Sequence, residues 1–343
     1  MEPTFLTRIA RSLKEQEENL LSWLRTTPIE QQQLRLGGRP ASEMEQHLHV
    51  LGDAIKKAET DELGRCTVCH DRVESHWLET NYTTCVCLEH LSGPERSKLE
   101  AELELSQKVQ QGLLPHSVPA IAGWDIAAFS QPASIVGGDY FDFLRFKDGA
   151  HAVVIADAMG KGLPASLLMA SLQASLRIIV PESDAPREVL DRLNRIFLHN
   201  TQLTKFVTIV VLRIEPGSNI VRYANGGHNP PFIAGMSRYA TGHLLPLRPT
   251  GAAIGLVEDA VFTSEAISIG EGESIFLYTD GVVESRSAEK EEFGDERLKA
   301  FLSDHAGEPP SVMVRNLREQ LKEFSASGPL FDDTTMVVVR RKG

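Results

Sequence analysis

Apolar residues recur at helical spacing along the first sixty positions of the chain. In the first predicted helix, over residues 1–27, they are Phe5, Ile9, Leu13, Leu20 and Leu24. A second helix is predicted from Ser42, which forms a capping box with Glu45. Its apolar positions are Met44, Leu48, Leu51, Ile55 and Ala58, spaced alternately four and three residues apart as in a coiled-coil seam. The pattern predicts either an antiparallel helical hairpin or a plain two-helix core.

From Trp124 onward the pattern changes to short apolar runs rich in Val, Ile and Phe, which predict β-strands. These runs lie at 124–130, 151–156, 206–214, 219–224, 261–269, 274–279 and 335–340. Helices are predicted in two pairs, 162–180 with 186–200 and 294–306 with 310–324. Because strands come in groups and helices in pairs, a regular βαβ alternation is excluded. We expect an α+β fold in which two mainly antiparallel sheets pack together with helices outside.

A polar helix is predicted to join the two regions, from about Pro94 to the residue before Pro115. Its apolar residues Leu99, Leu103 and Val109 or Leu113 stand at seam-like positions. Such a helix is compatible with a homodimer contact, a mechanical connector or a solvated linker. We therefore divide the chain into a helical N-terminal module (1–93), a linker helix (94–114) and a C-terminal domain (115–343).

The charge of the chain limits its partners. A formal net charge of -12 excludes general affinity for nucleic acid or anionic membrane, since both require basic surface. No apolar run approaches the roughly 20 residues that a membrane helix needs. The first residues, "MEPTFLTRIARSLKEQEENLL", are amphipathic and charged, unlike a secretion signal. We expect a cytoplasmic protein.

Aspartate stands at the ends of four of the apolar runs. The candidates are Asp139 in "IVGGD", Asp157 in "AVVIAD", Asp280 in "IFLYTD", and Asp332 with Asp333 in "LFDD". Ordinary turn chemistry explains each one alone. Carboxylates gathered without basic partners repel one another, however, and a divalent cation relieves that repulsion. Oxygen ligands favour Mg²⁺ or Mn²⁺ over zinc, and two such ions about 3.5–4 Å apart would activate a water for attack on phosphorus.

The stretch "DAMGKGLPAS" fits the same chemistry. Gly160 and Gly162 permit a tight turn, and Pro164 suits the first turn of the following helix. The start of a helix beside the acidic residues would offer backbone N–H groups to a phosphate. Lys161 either adds positive charge there or is an exposed loop lysine.

Five motifs occur in an order that resembles the SpoIIE-type branch of the PPM metal-dependent serine/threonine phosphatases. They are "VGGDYFDF", "ADAMGKGLPASL", "YANGGHNPPF", "YTDGVVESR" with "FGDERL", and "DDTTMVVV". The resemblance covers about 105–341 and includes the preceding segment "QKVQQGLLPHSVPAIAGWDIAAFSQPA". It implies a protein phosphatase with an αββα sandwich and two Mn²⁺ or Mg²⁺ ions.

The resemblance also implies a ligand set. The implied ligands are Asp139, Asp157, the carbonyl of Ala158, Asp280 and Asp332. Asp139 would be shared by both ions, and Asp157 would bind one of them largely through water. Asp333 is the alternative to Asp332 for the last position. The branch lacks the phosphate-binding arginine of other PPM phosphatases, so the group that holds the phosphate is left open.

The motif "NGGHN", residues 225–229, also matches this family. His228 within it has two interpretations. It either donates a proton to the leaving serine or threonine oxygen, or is a turn histidine hydrogen-bonded to the backbone. The structural interpretation is favoured.

All four cysteines of the chain lie within 22 residues, which indicates a metal site in a chain without an export signal. Cys66-x2-Cys69 and Cys87-x2-His90, separated by 17 residues, predict a closed structural Zn²⁺ site. Cys85 would be spare or would compete with Cys87. "CTVCH" also matches a c-type haem attachment pattern, which requires export and is set aside.

The segment from "HVLGDAIKK" to "CVCLEH" resembles the DksA/TraR-type zinc finger, with His90 in place of the usual cysteine. That family inserts an acidic hairpin tip into RNA polymerase. The corresponding loop here, "TTPIEQQQLRLGGRPAS", is not acidic. We therefore expect a sensory or docking role for this module.

These observations lead to one principal hypothesis, a metal-dependent protein serine/threonine phosphatase controlled by the N-terminal module through the linker helix. The resemblance implies that its substrate is a phosphorylated STAS-type anti-sigma-factor antagonist in a partner-switching pathway. The alternative is a non-catalytic, transcription-associated binding protein that uses the finger and keeps the phosphatase fold as a scaffold. A relation to GGDEF nucleotide cyclases is not supported, because Tyr140 stands where that signature needs glutamate.

Overall fold

The computed structural model describes residues 5–26, 41–73, 78, 82–200, 206–235, 244–326, 328 and 330–343. The chain forms two compact units, Met1–Ala101 (unit 1) and Glu102–Gly343 (unit 2). The predicted linker helix is present as α3 (Gly93–Leu113), and the boundary between the units falls within it.

Unit 1 contains two long helices, α1 (Phe5–Thr26) and α2 (Ala41–Glu59), close to the predicted limits. They pack against each other around a core made of Leu13, Leu51, Ala54, Ile55, Ala58, Leu63 and Leu78. The seam residues Leu51, Ile55 and Ala58 of α2 are therefore buried. Most of the predicted loop at 29–41, and the side chains of Phe5, Ser42, Met44 and Glu45, lie outside the described residues.

Unit 2 contains ten strands and four further helices in its described part. In chain order they are β1 (Trp124–Gln131), β2 (Asp139–Arg145), β3 (His151–Ala158), α4 (Gly162–Ile179), α5 (Pro186–Asn200), β4 (Val207–Ile214), β5 (Ile220–Gly226), β6 (Phe232–Ala234), β7 (Leu245–Pro246), β8 (Glu265–Ser268), β9 (Ser274–Tyr278), α6 (Gly294–Asp304), α7 (Pro310–Phe324) and β10 (Thr334–Arg341). One sheet has the order β1-β10-β9-β6-β7, and the other has β2-β3-β4-β5-β8. Every neighbouring pair is antiparallel, which confirms the predicted sheet type.

Three hydrophobic cores hold unit 2 together. Strand β3 contributes to two of them, because its successive side chains point to opposite faces of the sheet. Val153 and Ile155 point into the core between the two sheets. Ala152 and Val154 point the other way, into the core shared with α4 and α5. A third core packs β9 and β10 against α6 and α7. The order of layers is thus helix, sheet, sheet, helix, as the sequence predicted.

The segment Pro164–Glu182, which includes most of α4, is long and apolar enough to cross a membrane by length and composition. Core packing accounts for this character. Met169, Leu172 and Leu176 on α4 are almost fully buried beneath β2 and β3.

Candidate metal centre

Two of the predicted ligands face each other across the first pair of strands. Strands β2 and β3 are antiparallel, and Asp139 lies directly opposite Asp157 in their register. The expectation that all the acidic residues follow strand ends was wrong in part, because Asp139 begins β2 and Asp332 precedes β10. The residues still meet, since in an antiparallel pair the start of one strand lies beside the end of the next.

The other sheet brings Asp280 and Asp332 to the same place. Strand β9 ends at Tyr278 and β10 begins at Thr334, and Tyr278 pairs with Met336. Asp280 therefore leaves β9 where Asp332 enters β10. Between them the backbone is tightly packed, because a Cβ on Gly281 would collide with the carbonyl of Asp333. This contact explains the glycine of the "TDG" motif.

A hydroxyl that the sequence analysis did not identify orients Asp139. The hydroxyl Oγ1 of Thr279 donates to Oδ2 of Asp139 at 2.7 Å and accepts the N–H of Thr335 at 3.0 Å. Both threonines are completely buried. Asp139 is thereby fixed between the two sheets.

The carboxylates strongly perturb one another. Burial, and then the charges of Asp157 and Asp333, raise the pKa of Asp139 well above its usual value. Burial, followed by the charges of Asp280 and Asp332, raises the pKa of Asp157 to about 7. Burial and the charge of Glu284 raise the pKa of Asp280 to about 6. Such values are expected where negative charges are gathered with little compensation.

The two aspartates of "DDTT" have different surroundings. Asp333 is buried and accepts backbone N–H groups from Ala133 at 2.7 Å and Gly138 at 2.6 Å, one on each oxygen. Asp332 is more exposed and pairs with the ammonium group of Lys161 at 2.7 Å. Within the described chain, Lys161 is the one basic side chain that forms an ion pair with a member of this cluster.

Two further acidic residues were not assigned roles from the sequence. Glu284 lies four residues after Asp280 in the "YTDGVVESR" motif, and its charge acts on both Asp157 and Asp280. Glu284 is part of this motif, but its position in the sequence gave no reason to choose it as a member of the acidic cluster. Asp142 of "VGGDYFDF" is outside the cluster, because it accepts the hydroxyl of Tyr140 at 2.6 Å.

His228 is a buried structural residue in this fold. Its Nε2 lies 3.0 Å from the carbonyl of Tyr278 and its Nδ1 lies 2.7 Å from the hydroxyl of Thr208. A carbonyl only accepts, so Nε2 carries the proton and Nδ1 accepts from the threonine. Burial lowers the pKa of His228 to about 4. Both ring nitrogens are therefore occupied, in agreement with the favoured interpretation.

In unit 1 the predicted zinc ligands lie together. The ligand atoms of Cys66, Cys69, Cys87 and His90 all lie within 4.8 Å of one another. The shortest distance, 2.8 Å, joins Sγ of Cys87 to Nδ1 of His90. The backbone N–H groups of Val68 and Cys87 point to Sγ of Cys66 at 3.4 and 3.5 Å. Cys85 is exposed and is not part of this group.

Both donor sets fit the ions expected from their chemistry. The unit 2 cluster offers only oxygen, and its buried, mutually repelling carboxylates have one lysine as a cationic partner among the described residues. This combination suits hard divalent cations such as Mg²⁺ or Mn²⁺. The unit 1 cluster offers three sulfurs and one nitrogen, which suit tetrahedral zinc.

Sequence comparison identifies the family of unit 2. The sequence profile of the family described as Stage II sporulation protein E (SpoIIE) matches residues 147–342, more than half of the chain. The chain belongs to the SpoIIE family. The matched region contains four of the five predicted ligands of the metal centre, while Asp139 precedes it.

Two relatives align over most of the chain. Phosphoserine phosphatase RsbU of Bacillus subtilis (strain 168) is 29% identical over 247 residues, which are 72% of this chain and 72% of that protein. Protein IcfG of Synechocystis sp. (strain ATCC 27184 / PCC 6803 / Kazusa) is also 29% identical, over 77% of this chain and 45% of that protein.

Solved structures agree with the αββα sandwich of this SpoIIE-family chain. The SiaA-PP2C domain of Pseudomonas aeruginosa superposes with a TM-score of 0.61 at 19% identity, over 73% of this chain and 99% of that domain. The RsbU and RsbW domains of Rv1364c from Mycobacterium tuberculosis give a TM-score of 0.55 at 26% identity, over 67% of this chain and 63% of theirs. The predicted fold of unit 2 is confirmed.

Proposed function

We propose that this protein removes phosphate from serine or threonine residues of a protein partner, using two divalent ions held by the acidic cluster of unit 2. The chain is a protein serine/threonine phosphatase of the SpoIIE family. The proposed ligands are Asp139, Asp157, the carbonyl of Ala158, Asp280 and Asp332. When bound, Mn²⁺ or Mg²⁺ would supply an activated water and positive charge for the phosphoryl oxygens.

The protein's own residues would prepare this site before any ion arrives. Thr279 holds Asp139 in one orientation, so the carboxylate proposed to be shared by both ions is fixed in place. Both carboxylate oxygens of Asp333 already accept backbone N–H groups, which supports Asp332 as the metal ligand of the pair. Lys161 pairs with Asp332 and brings positive charge to the site, where it would attract a phosphate.

The gathering of acidic side chains from both sheets is the observation that carries this proposal. If these side chains served the fold alone, each would have its own partners, as Asp142 has the guanidinium of Arg177 at 3.5 Å and the hydroxyl of Tyr140 at 2.6 Å. Instead, Asp139 and Asp157 face each other across a strand pair. Burial and the charge of Asp157 together raise the pKa of Asp139.

The test is hydrolysis of p-nitrophenyl phosphate and of phosphoserine peptides by the full chain with added Mn²⁺. We expect Asp139→Asn to lose at least about 100-fold in kcat/KM, since it removes a shared ligand. Asp142→Asn, on the same strand but outside the cluster, is the matched control and should keep activity. A folded wild-type protein that binds Mn²⁺ and hydrolyses none of these compounds would favour the non-catalytic scaffold instead.

We further propose that unit 1 is a zinc module of the DksA/TraR type that regulates the phosphatase. Four candidate ligand atoms within 4.8 Å support the zinc site. All four cysteines have free thiols, and three of them are available as zinc ligands. Zinc content measured on the purified full chain, with Mn²⁺-dependent activity compared before and after zinc removal, tests both the metal and its influence.

The substrate proposal is narrower. RsbU is named a phosphoserine phosphatase, which supports a phosphoserine-containing protein as substrate. The motif resemblance favours a STAS-type anti-sigma-factor antagonist.

We also propose that the protein forms a homodimer through α3, where Leu105 and Val109 are exposed. Dephosphorylation of a phosphorylated STAS protein, and sedimentation of Leu105→Glu beside wild type, test these two points.

A further inference from the structure

Two cationic side chains and one aromatic ring form a cluster beside the metal centre. The ammonium group of Lys161 lies 4.3 Å from the centre of the Phe331 ring, and the guanidinium carbon of Arg286 lies 3.5 Å from the same point. Both distances are within the range of cation–π contacts. These three residues are called the Phe331 cluster below.

The Phe331 cluster is joined to two of the proposed metal ligands. Phe331 directly precedes Asp332 in the chain. Lys161 donates to the carbonyl of Phe331 at 2.8 Å and pairs with the Asp332 carboxylate at 2.7 Å. Arg286 ends the "YTDGVVESR" motif that contains Asp280. The cluster therefore adjoins the acidic residues on the side of Asp332.

Backbone hydrogen bonds fix the segment that carries Arg286. The carbonyl of Ser285 accepts the N–H of Phe293 at 2.8 Å. The backbone of Arg286 pairs with that of Glu292 in an antiparallel bridge. Phe293 is itself almost fully buried and directly precedes α6. Arg286 thus starts from a backbone position that is anchored to the core of unit 2.

The guanidinium of Arg286 has more donors than its described neighbours use. Its Nη2 donates to Oε1 of Glu292 at 3.3 Å, in an ion pair whose two side chains are partly exposed. Its Nε is buried and has no hydrogen-bond partner among the described residues. Buried donors in folded proteins are normally satisfied. The fold alone therefore does not account for this guanidinium, which still has donors to offer to an anion.

The chemistry of the Phe331 cluster favours a phosphate as that anion. The planar guanidinium matches the oxygens of a phosphate, with which it forms two parallel hydrogen bonds. Lys161 adds a second positive charge on the same ring. Exposed ion pairs contribute little to stability, so Arg286 can exchange Glu292 for a phosphate oxygen at small cost. The sequence left open which group holds the phosphate, and these contacts supply a candidate.

We infer that Arg286 is a substrate-binding residue whose guanidinium, held on the ring of Phe331 and acting with Lys161, binds the phosphoryl oxygens of the phosphoprotein substrate. Phe331 is a positioning residue for this contact. The inference rests on the proposed function and adds to it the side chain that binds the phosphate. Because the contact is made to the phosphoryl group itself, substrate and released phosphate should both lose affinity when the guanidinium is removed.

Isothermal titration of the Mg²⁺-loaded full chain with inorganic phosphate tests this contact without turnover. We expect Arg286→Ala to raise the Kd for phosphate at least about 10-fold, because hydrogen bonds between charged groups are the stronger class. Arg286→Lys should recover part of the loss, since lysine keeps the charge but not the planar pair of donors. Arg297→Ala is the matched control. Arg297 also lies over an aromatic ring, that of Phe324, and pairs with a glutamate, and its loss should leave the Kd within twofold.

Two neighbouring residues give predictions of their own. Glu292→Gln removes the ion-pair partner of Arg286 and should lower the Kd for phosphate about two- to fivefold. Phe331→Leu keeps an apolar side chain but removes the ring beneath the guanidinium, and should raise this Kd about threefold. A higher Kd in Glu292→Gln would contradict the exchange of Glu292 for phosphate.

Kinetics with two substrates separate phosphate binding from recognition of the surrounding polypeptide. For Arg286→Ala the KM for p-nitrophenyl phosphate and for a phosphoserine peptide should both rise about 10-fold, while kcat stays within about threefold. The Kd of this variant for Mn²⁺ should stay within twofold, which distinguishes a lost phosphate contact from a disturbed metal centre.

Two results would overturn the inference and leave the proposed function intact. One is an unchanged Kd for phosphate in Arg286→Ala. The other is a rise in KM for the peptide alone, which would show that Arg286 contacts the polypeptide and not the phosphoryl group. A folded, Mg²⁺-bound wild-type chain that neither binds phosphate nor hydrolyses p-nitrophenyl phosphate would overturn both.

Discussion

Replacement of Asp157 by asparagine should make the metal-free protein more stable at neutral pH. In the folded chain the pKa of Asp157 is about 7, against 3.8 for an unperturbed aspartate. The two values differ by about three pH units, each equivalent to about 1.4 kcal/mol. Ionised Asp157 therefore costs the metal-free fold about 4 kcal/mol at pH 8. Asparagine avoids the charge but leaves a partly buried amide, so we expect a net gain of about 2–3 kcal/mol.

The sign of this effect depends on pH. A folded-state pKa that is raised means that stability is complete below about pH 3.8 and is lost as pH rises through about 7. The difference between Asp157→Asn and wild type should therefore vanish near pH 4 and reach its full size above pH 7. Added Mn²⁺ should reduce the difference in stability between the two proteins, because ligand at 100 times its Kd stabilises the wild-type fold by about 2.7 kcal/mol for each site.

The assay is native-state hydrogen exchange of the full chain, read on peptides from β2 and β3, in buffer freed of divalent ions by a chelating resin. A soluble chelator is avoided because it would also strip the unit 1 site. Asp142→Asn is the control; it removes the carboxylate that pairs with Arg177 and accepts the Tyr140 hydroxyl, and it should not stabilise the fold. A metal-free Asp157→Asn protein that is no more stable than wild type at pH 8 would refute the carboxylate cluster.

Three further predictions concern other parts of the molecule. Cys87→Ser should lose the bound zinc and the cooperative unfolding of unit 1, whereas Cys85→Ser should keep one zinc per chain by elemental analysis, because the exposed thiol lies outside the ligand group. Gly138→Ala should weaken Mn²⁺ binding by calorimetry and cost about 1–3 kcal/mol in urea unfolding, since its Cβ meets the Ala158 carbonyl. The folded-state pKa of His228, about 4, lies below 6.5, so wild-type stability should fall by up to about 3 kcal/mol between pH 6.5 and 4 relative to His228→Gln. A pH-independent difference between these two proteins would contradict the buried neutral imidazole.

The layered fold could be predicted because its signals are local. Strand-length apolar runs such as 151–156 and helix pairs such as 162–180 with 186–200 each bury one defined face, and that pattern survives in the sequence. Strand β2 was missed, since its "DYFDFLR" run carries two aspartates and an arginine. Packing against its neighbours overrides this weak local preference.

The metal centre could be predicted only as a set of residue types. The sequence identified Asp139 and Asp157 as candidates, and the β2–β3 register makes them partners. Thr279 could not be found in this way, because a threonine after a strand is common. Its role arises from a contact with Asp139 across 140 positions of chain.

The same arrangement that prepares the centre for metal also weakens the fold without it. Asp139 is held by Thr279 in the interior, where its charge opposes those of Asp157 and Asp333. The carboxylates could move apart only if the first residues of β2 moved, and the pairing of β2 with β3 and the Thr279 hydrogen bond hold these residues in place. The repulsion therefore persists until a cation is bound. Because the fold already holds the repelling carboxylates in place, a bound cation stabilises the folded state by removing a repulsion that the scaffold cannot relieve by itself.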